Sequence, residues 1–142
     1  MSNINIAMIQ DVASALGDLK DEVVFVGGAT VSLYLDLEIA DEVRPTEDVD
    51  VVIEITSSGK YQLLSEKLLK MKFIPDQSKG APICRWKYLG TTIDIMPLDE
   101  NILGFSNQFY KNGFKKRELF MLPDGNEIYI FPCQPINVDV SL

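Results

Sequence analysis

The run Asp48-Val49-Asp50-Val51-Val52-Ile53-Glu54-Ile55 constrains this chain more than any other stretch. On a strand, alternate side chains share a face. Read that way, the run places Asp48, Asp50, Val52 and Glu54 on one side and Val49, Val51, Ile53 and Ile55 on the other. An apolar strand that sets two carboxylates side by side at its start accepts an electrostatic cost. The usual reasons are a metal ion or a pair of positive partners. The pattern points to a metal site.

Upstream, Val23 to Val26 reads as a short buried strand, followed by Gly27-Gly28 and by helical apolar spacing from Ala29 to Leu37. Glycines at a strand-to-helix turn let backbone N–H groups approach a phosphate near the positive end of the helix dipole. The same pair also serves as an ordinary tight turn, and the sequence is neither a P-loop nor a GxGxxG fingerprint. Thr30 or Ser32 could add a hydroxyl to such a pocket. Pro45 disfavours a helical Arg44, so Arg44-Pro45-Thr46 runs extended into the acidic strand. Arg44 either pairs with a phosphate or an aspartate, or is a surface cation among Asp41, Glu42 and Glu47.

Composition narrows the chemistry. The 142 residues, 46% of them hydrophobic, fit one domain with a real core. A net charge of -8 argues against a general nucleic-acid-binding surface, though not against a local basic patch. The chain has no histidine, which removes Ser-His and Cys-His triads and imidazole bases together. Cys84 and Cys133 match no zinc spacing and are expected to be reduced. With no signal-like N-terminus and no spanning apolar run, the expectation is a soluble, cytoplasmic protein without a membrane partner.

Further elements follow from periodicity. Residues 4–20 have the spacing of an amphipathic packing helix, and Ser58 to Met71 repeats the pattern. Ile83 to Leu89 alternates as a strand with Arg85, Lys87 and Leu89 on one face. A hairpin turn at Gly90-Thr91 then leads into Thr92 to Pro97. In that second strand Asp94 is a lone acid between Ile93 and Ile95, costly unless partnered. It is the natural third member of the Asp48–Asp50 set. Asn101 to Leu119 suggests a short helix or irregular segment holding Phe105, Phe109 and Phe114 against the core. Lys115-Lys116-Arg117 is the one concentrated run of positive charge, either a contact for an RNA or nucleotide phosphate or a solvated basic turn. A last hairpin spans Glu118 to Phe131 around Pro123-Asp124-Gly125-Asn126, before a loosely attached tail, 132–142.

Two carboxylates at i and i+2 of one strand, with a third from a neighbour, can hold Mg²⁺ or Mn²⁺ through hard oxygen ligands shared with substrate phosphates. Such chemistry needs no histidine. The combination of Gly27-Gly28, a helix, Arg44-x-Thr46-x-Asp48-Val49-Asp50 and a later Ile93-Asp94-Ile95 resembles the DNA polymerase β-like nucleotidyltransferase superfamily. Within it, VGGATVSLY and RPTEDVDVV look most like the AbiEii-type toxin nucleotidyltransferases, over about residues 23–98. The resemblance implies an α/β (α+β) fold, a mixed sheet flanked by helices in a single small domain. It implies Asp48, Asp50 and Asp94 as metal-binding catalytic acids, with Asp94 activating the acceptor hydroxyl. Gly27 and Gly28 would contact nucleotide phosphates, with Thr30, Arg44 and Thr46 beside them. The implied partners are an NTP, an RNA (such as tRNA) or protein acceptor, and a toxin or antitoxin.

The pattern departs from the superfamily in its longer gap between Gly28 and Asp48. Members of the AbiEii-type group also usually continue into a helical C-terminal region, whereas here the recognisable sequence ends in a hairpin. Two other readings compete with catalysis. One is a degenerate or truncated member that binds a nucleotide or a partner protein. The other is a small α/β domain whose acids only pair with Arg44, Arg85 and Lys87.

Overall fold

The computed structural model of the chain describes residues 4–27, 29–30, 33, 48–55, 58–82, 84–98 and 108–131. Helix α1 (Ile4–Leu16) is followed by a 3-10 turn (Gly17–Glu22) and strand β1 (Val23–Val26). Then come β2 (Asp48–Ile53), helix α2 (Ser58–Lys70), β3 (Ile74–Pro75), β4 (Arg85–Tyr88) and β5 (Thr91–Pro97). Helix α3 (Gln108–Lys115) and the hairpin β6 (Glu118–Met121) and β7 (Glu127–Ile130) complete the described elements. The seven strands form one mixed sheet in the order β3-β4-β5-β2-β1-β7-β6. β2 pairs with β5 and β1 with β7 in parallel, and the remaining pairs are antiparallel.

Alternation along the central strands separates two faces. One carries Val23, Phe25, Val49, Val51, Ile53, Ile93 and Ile95, which pack against Ile9, Val12, Ala13 and Leu16 of α1 and Leu64 and Leu68 of α2. These helices bury the main core because their apolar residues recur on one side at helical spacing. The opposite face carries a smaller cluster of Val24, Val26 and Val52, covered by Phe114 of α3 and by Phe131. The acids of β2 and β5 lie on this second face, next to that cluster.

Three local readings are corrected by the structure. The α-helix stops at Leu16 rather than near Lys20, because Gly17 adopts φ +58°, a left-handed conformation that ends an α-helix, and a 3-10 turn continues to Glu22. The β4–β5 turn is Leu89-Gly90 rather than Gly90-Thr91: Tyr88 pairs with Thr91, and both turn residues have positive φ, +47° and +85°. Paired positive φ is the signature of a primed hairpin turn, which matches strand twist. Leucine seldom adopts it, so the sequence points one residue downstream. Glu54, placed by alternation on the acid face, lies beyond the end of β2. It borders a groove with Leu19, Glu22, Lys60 and Lys67 instead.

Helix α3 forms within the segment read as helical or irregular, and its Phe114 is buried as expected. Phe105, Asp99, Glu100 and the tail 132–142 lie outside the described residues. The last hairpin docks on α1 through its turn: the Asp124 amide donates to Gln10 Oε1 at 2.9 Å, and Asn126 Nδ2 donates to Ser14 Oγ at 3.0 Å. Among the described residues, no helix is long and apolar enough to cross a membrane.

Candidate metal centre

Strand register assembles the acids. In the parallel β2–β5 pair, Asp50 stands opposite Asp94 and Asp48 opposite Thr92. In the antiparallel β4–β5 pair, Asp94 faces Arg85 and Thr92 faces Lys87. Val26 of β1 sits opposite Asp50. Directly opposed residues project their side chains to the same side of a sheet. A single row, Val26–Asp50–Asp94–Arg85, therefore crosses four strands, with Asp48 two residues along from Asp50. One carboxylate oxygen each from Asp48, Asp50 and Asp94 lies within 4.8 Å of the others. Oxygen ligands of Mg²⁺, Mn²⁺ or Ca²⁺ stand about 2.0–2.6 Å from the ion, so donors around one ion are separated by up to about 5 Å. The three oxygens meet that limit.

The charge balance of the cluster also suits a cation. Asp50 is half-buried, and its carboxyl is pushed up from 3.8 to about 7. Burial is the first cause, followed by repulsion from Asp48 and then Asp94, against which Arg85 acts in the lowering direction. Asp94 is buried, and both of its oxygens accept from Arg85: Nε donates to Oδ1 at 2.8 Å and Nη2 to Oδ2 at 2.9 Å. The hydrogen bonds to Asp94 hold the guanidinium still more firmly as a cation than usual. Arg85 Nη2 also lies 3.9 Å from Asp48 Oδ2. Lys87 donates to Thr92 Oγ1 at 2.8 Å. One guanidinium thus pairs with Asp94 and Asp48, and a hard divalent ion would lower the repulsion that, after burial, raises the Asp50 carboxyl.

Gly27 closes one side of the cluster. It has φ +84°, and a Cβ built on it would run into the Asp50 carboxylate, with Asp50 Cγ at 3.2 Å and Cβ at 3.3 Å. Only glycine leaves that carboxylate in place. Buried Thr30 stabilises the turn by donating from Oγ1 to the Gly27 carbonyl at 2.8 Å, so its hydroxyl proton is engaged with the backbone. Gly28, Arg44 and Thr46 lie outside the described residues.

The basic run sits elsewhere on the acid face. Lys115, Lys116 and Arg117 are exposed at the end of α3. Arg117 lies over the rings of Phe114 and Tyr129, 4.6 and 5.0 Å from their centroids, and its Nη1 donates to the Phe114 carbonyl at 2.9 Å. Tyr129 stands opposite Val24, two strands across from β2. Strand spacing and rise put its Cα about 12 Å from that of Asp50.

The crystal structure of an antigenic nucleotidyltransferase-like protein from Paracoccidioides brasiliensis superposes on this chain with a TM-score of 0.55 at 18% sequence identity, covering 89% of this chain and 60% of that one. The fold is nucleotidyltransferase-like. The chain spans about 60% of the length of that neighbour. No protein-family model matches the sequence, and no curated protein matches it. On this nucleotidyltransferase-like sheet, three acidic residues stand close enough together to hold a divalent metal.

The sequence singles out Asp48, Asp50 and Asp94, and the structure brings those three together. It names Arg85 only as one of several cations that could pair with acids. The bidentate partnership with Asp94 depends on the Leu89-Gly90 turn. With the turn at Gly90-Thr91, Lys87 would have faced Asp94. The signal that could have found Arg85 is the preference of hairpins for turns with glycine at the second of two positions with positive φ.

Proposed function

We propose that this chain is a divalent-metal-dependent nucleotidyltransferase that moves a nucleotide from an NTP to a hydroxyl of RNA or protein. One observation carries the reading: three carboxylates from two adjacent strands converge within 4.8 Å on a nucleotidyltransferase-like sheet. Asp48, Asp50 and Asp94 would hold Mg²⁺ or Mn²⁺. Bound there, the ion would lower the pKa of the acceptor hydroxyl and neutralise charge on the triphosphate. The acceptor oxygen forms a bond to the α-phosphorus, the α–β bridging bond breaks, and pyrophosphate leaves with the bonding electrons. A carboxylate of the cluster takes the hydroxyl proton, as it must in a chain without histidine. Gly27 lets the backbone turn tightly beside Asp50, and Gly28, Arg44 and Thr46 complete the phosphate contacts. Lys115, Lys116 and Arg117 on the same sheet face supply positive charge for an acceptor's phosphates.

The finer assignment, an AbiEii-type toxin component working with an antitoxin partner, rests on VGGATVSLY and RPTEDVDVV. A second reading has its own support in the Arg85–Asp94 fork, which already neutralises one of the three acids. In that reading the chain is a degenerate nucleotidyltransferase fold that binds a nucleotide or a partner protein.

Calorimetric titration of each NTP into the protein, with Mg²⁺ and with EDTA, separates the two. Binding that requires Mg²⁺ and disappears in Asp48→Asn/Asp50→Asn is the expected result. Binding of no NTP, or binding indifferent to both the metal and the two aspartates, would rule out the catalytic reading. A stable partner complex unaffected by the double substitution would then favour the second.

A further inference from the structure

Arg85 contacts two of the three acids that a bridging cation would need. Its Nη2 is 2.9 Å from Asp94 Oδ2 and 3.9 Å from Asp48 Oδ2, so it reaches toward both acids from β4. A divalent ion ligated by those two residues must come within about 2.6 Å of an oxygen from each. Each carboxylate oxygen has two lone pairs and the fork takes one on each Asp94 oxygen, so a metal ion at Asp94 competes with the guanidinium for charge and for the orientation of that side chain. The fork is also well anchored. Strand pairing holds Arg85 directly opposite Asp94, and both side-chain bonds are short and charge-assisted. Lys87, the other cation of β4 on this face, is spent on the Thr92 hydroxyl.

We propose that Arg85 is a resident counter-cation of the acid cluster and sets its affinity for divalent metal. The ion enters by displacing the guanidinium from Asp94. This deepens the metal-dependent reading above and rests on it. Arg85 is then a positioning residue: it holds Asp94 while the site lacks metal and keeps weakly bound cations out of the cluster. Without such a partner, a buried Asp94 beside Asp50 would carry uncompensated charge.

Mn²⁺ and Mg²⁺ are titrated calorimetrically into the EDTA-stripped full chain, and melting is followed with and without Mn²⁺. The proteins compared are wild type, Arg85→Gln, Arg85→Lys, Lys87→Gln and Asp48→Asn/Asp50→Asn. Arg85→Gln is expected to bind Mn²⁺ at least about tenfold more tightly than wild type, because it loses both charge-assisted hydrogen bonds of the fork and even one is worth about that much. Arg85→Lys should fall between them, because it keeps the charge and loses the fork. Lys87→Gln should stay within about twofold of wild type, since its hydrogen bond goes to a hydroxyl rather than to the acids. In EDTA, Arg85→Gln should melt lower than wild type, and Mn²⁺ should raise its Tm by more.

If wild type binds and the double aspartate variant does not, while Arg85→Gln binds no more tightly than wild type, the proposal fails and the metal site stands. Equal tightening in Lys87→Gln would also overturn it, by assigning the effect to overall charge. Binding by Arg85→Gln alone would support both the proposal and the site. Binding by neither would overturn both. Should Arg85→Gln not fold in EDTA, Arg85→Lys decides by the same comparison.

Discussion

Asp50→Asn tests the electrostatics of the cluster without any substrate. In the folded chain the Asp50 carboxyl is pushed from 3.8 to about 7, first by burial and then by Asp48 and Asp94. Between those values the folded state keeps a proton that the unfolded state has lost. Stability therefore falls as pH rises from about 4 to about 7, and levels off above it. A carboxyl displaced that far corresponds to roughly 4 kcal/mol, and allowing for the solvent access of a half-buried group leaves about 2 kcal/mol. Asparagine mimics the protonated carboxyl and has no such slope. Urea unfolding in EDTA from pH 5 to pH 8 should show the variant gaining on wild type as pH rises, until it leads by about 2 kcal/mol at pH 8. Adding Mn²⁺ at pH 8 should stabilise wild type and leave the variant nearly unchanged. A stability difference that does not vary with pH, or a variant less stable than wild type at pH 8 in EDTA, would refute the reasoning.

Other substitutions test the supports of the site. Gly27→Ala should cost about 1–2 kcal/mol in chemical denaturation from the left-handed backbone alone. It should also weaken Mn²⁺ binding in calorimetry, because the new methyl displaces the Asp50 carboxylate. Leu89→Asn should raise stability by about 1 kcal/mol in urea unfolding, since Leu89 is exposed at φ +47° and Asn-Gly suits a primed turn better. Leu68→Ala should cost about 2–5 kcal/mol in the same assay, because Leu68 is fully buried between α2 and the sheet.

Much of the site could be read from local pattern. Asp48 and Asp50 share a face because a strand has a period of two, and the apolar partners of that pattern, Val49, Val51 and Ile53, do line the core. Asp94 could be picked out because an isolated acid between two buried isoleucines needs a partner. The turn residues were less legible. Leu89 adopts a conformation its side chain disfavours, and a one-residue difference in the turn changes which cation of β4 faces Asp94. Gly17 ended α1 early for a related reason: the apolar period continues to Leu19, but the backbone at Gly17 does not.

Local spacing was enough to set which side chains share a strand face, and so which acids could meet. That information lies in spacings of two residues and needs no distant contact. Tertiary structure alone decided that β2 and β5 are parallel neighbours in the register that sets Asp50 against Asp94. Arg85 reaches the cluster through the local β4–β5 hairpin, so its place follows from the Leu89-Gly90 turn rather than from a distant contact. The β2–β5 pairing joins segments far apart in the chain, and it is chosen by the fit of two packed sheet faces. No local pattern contains that choice, because it is made by the free energy of the whole sheet.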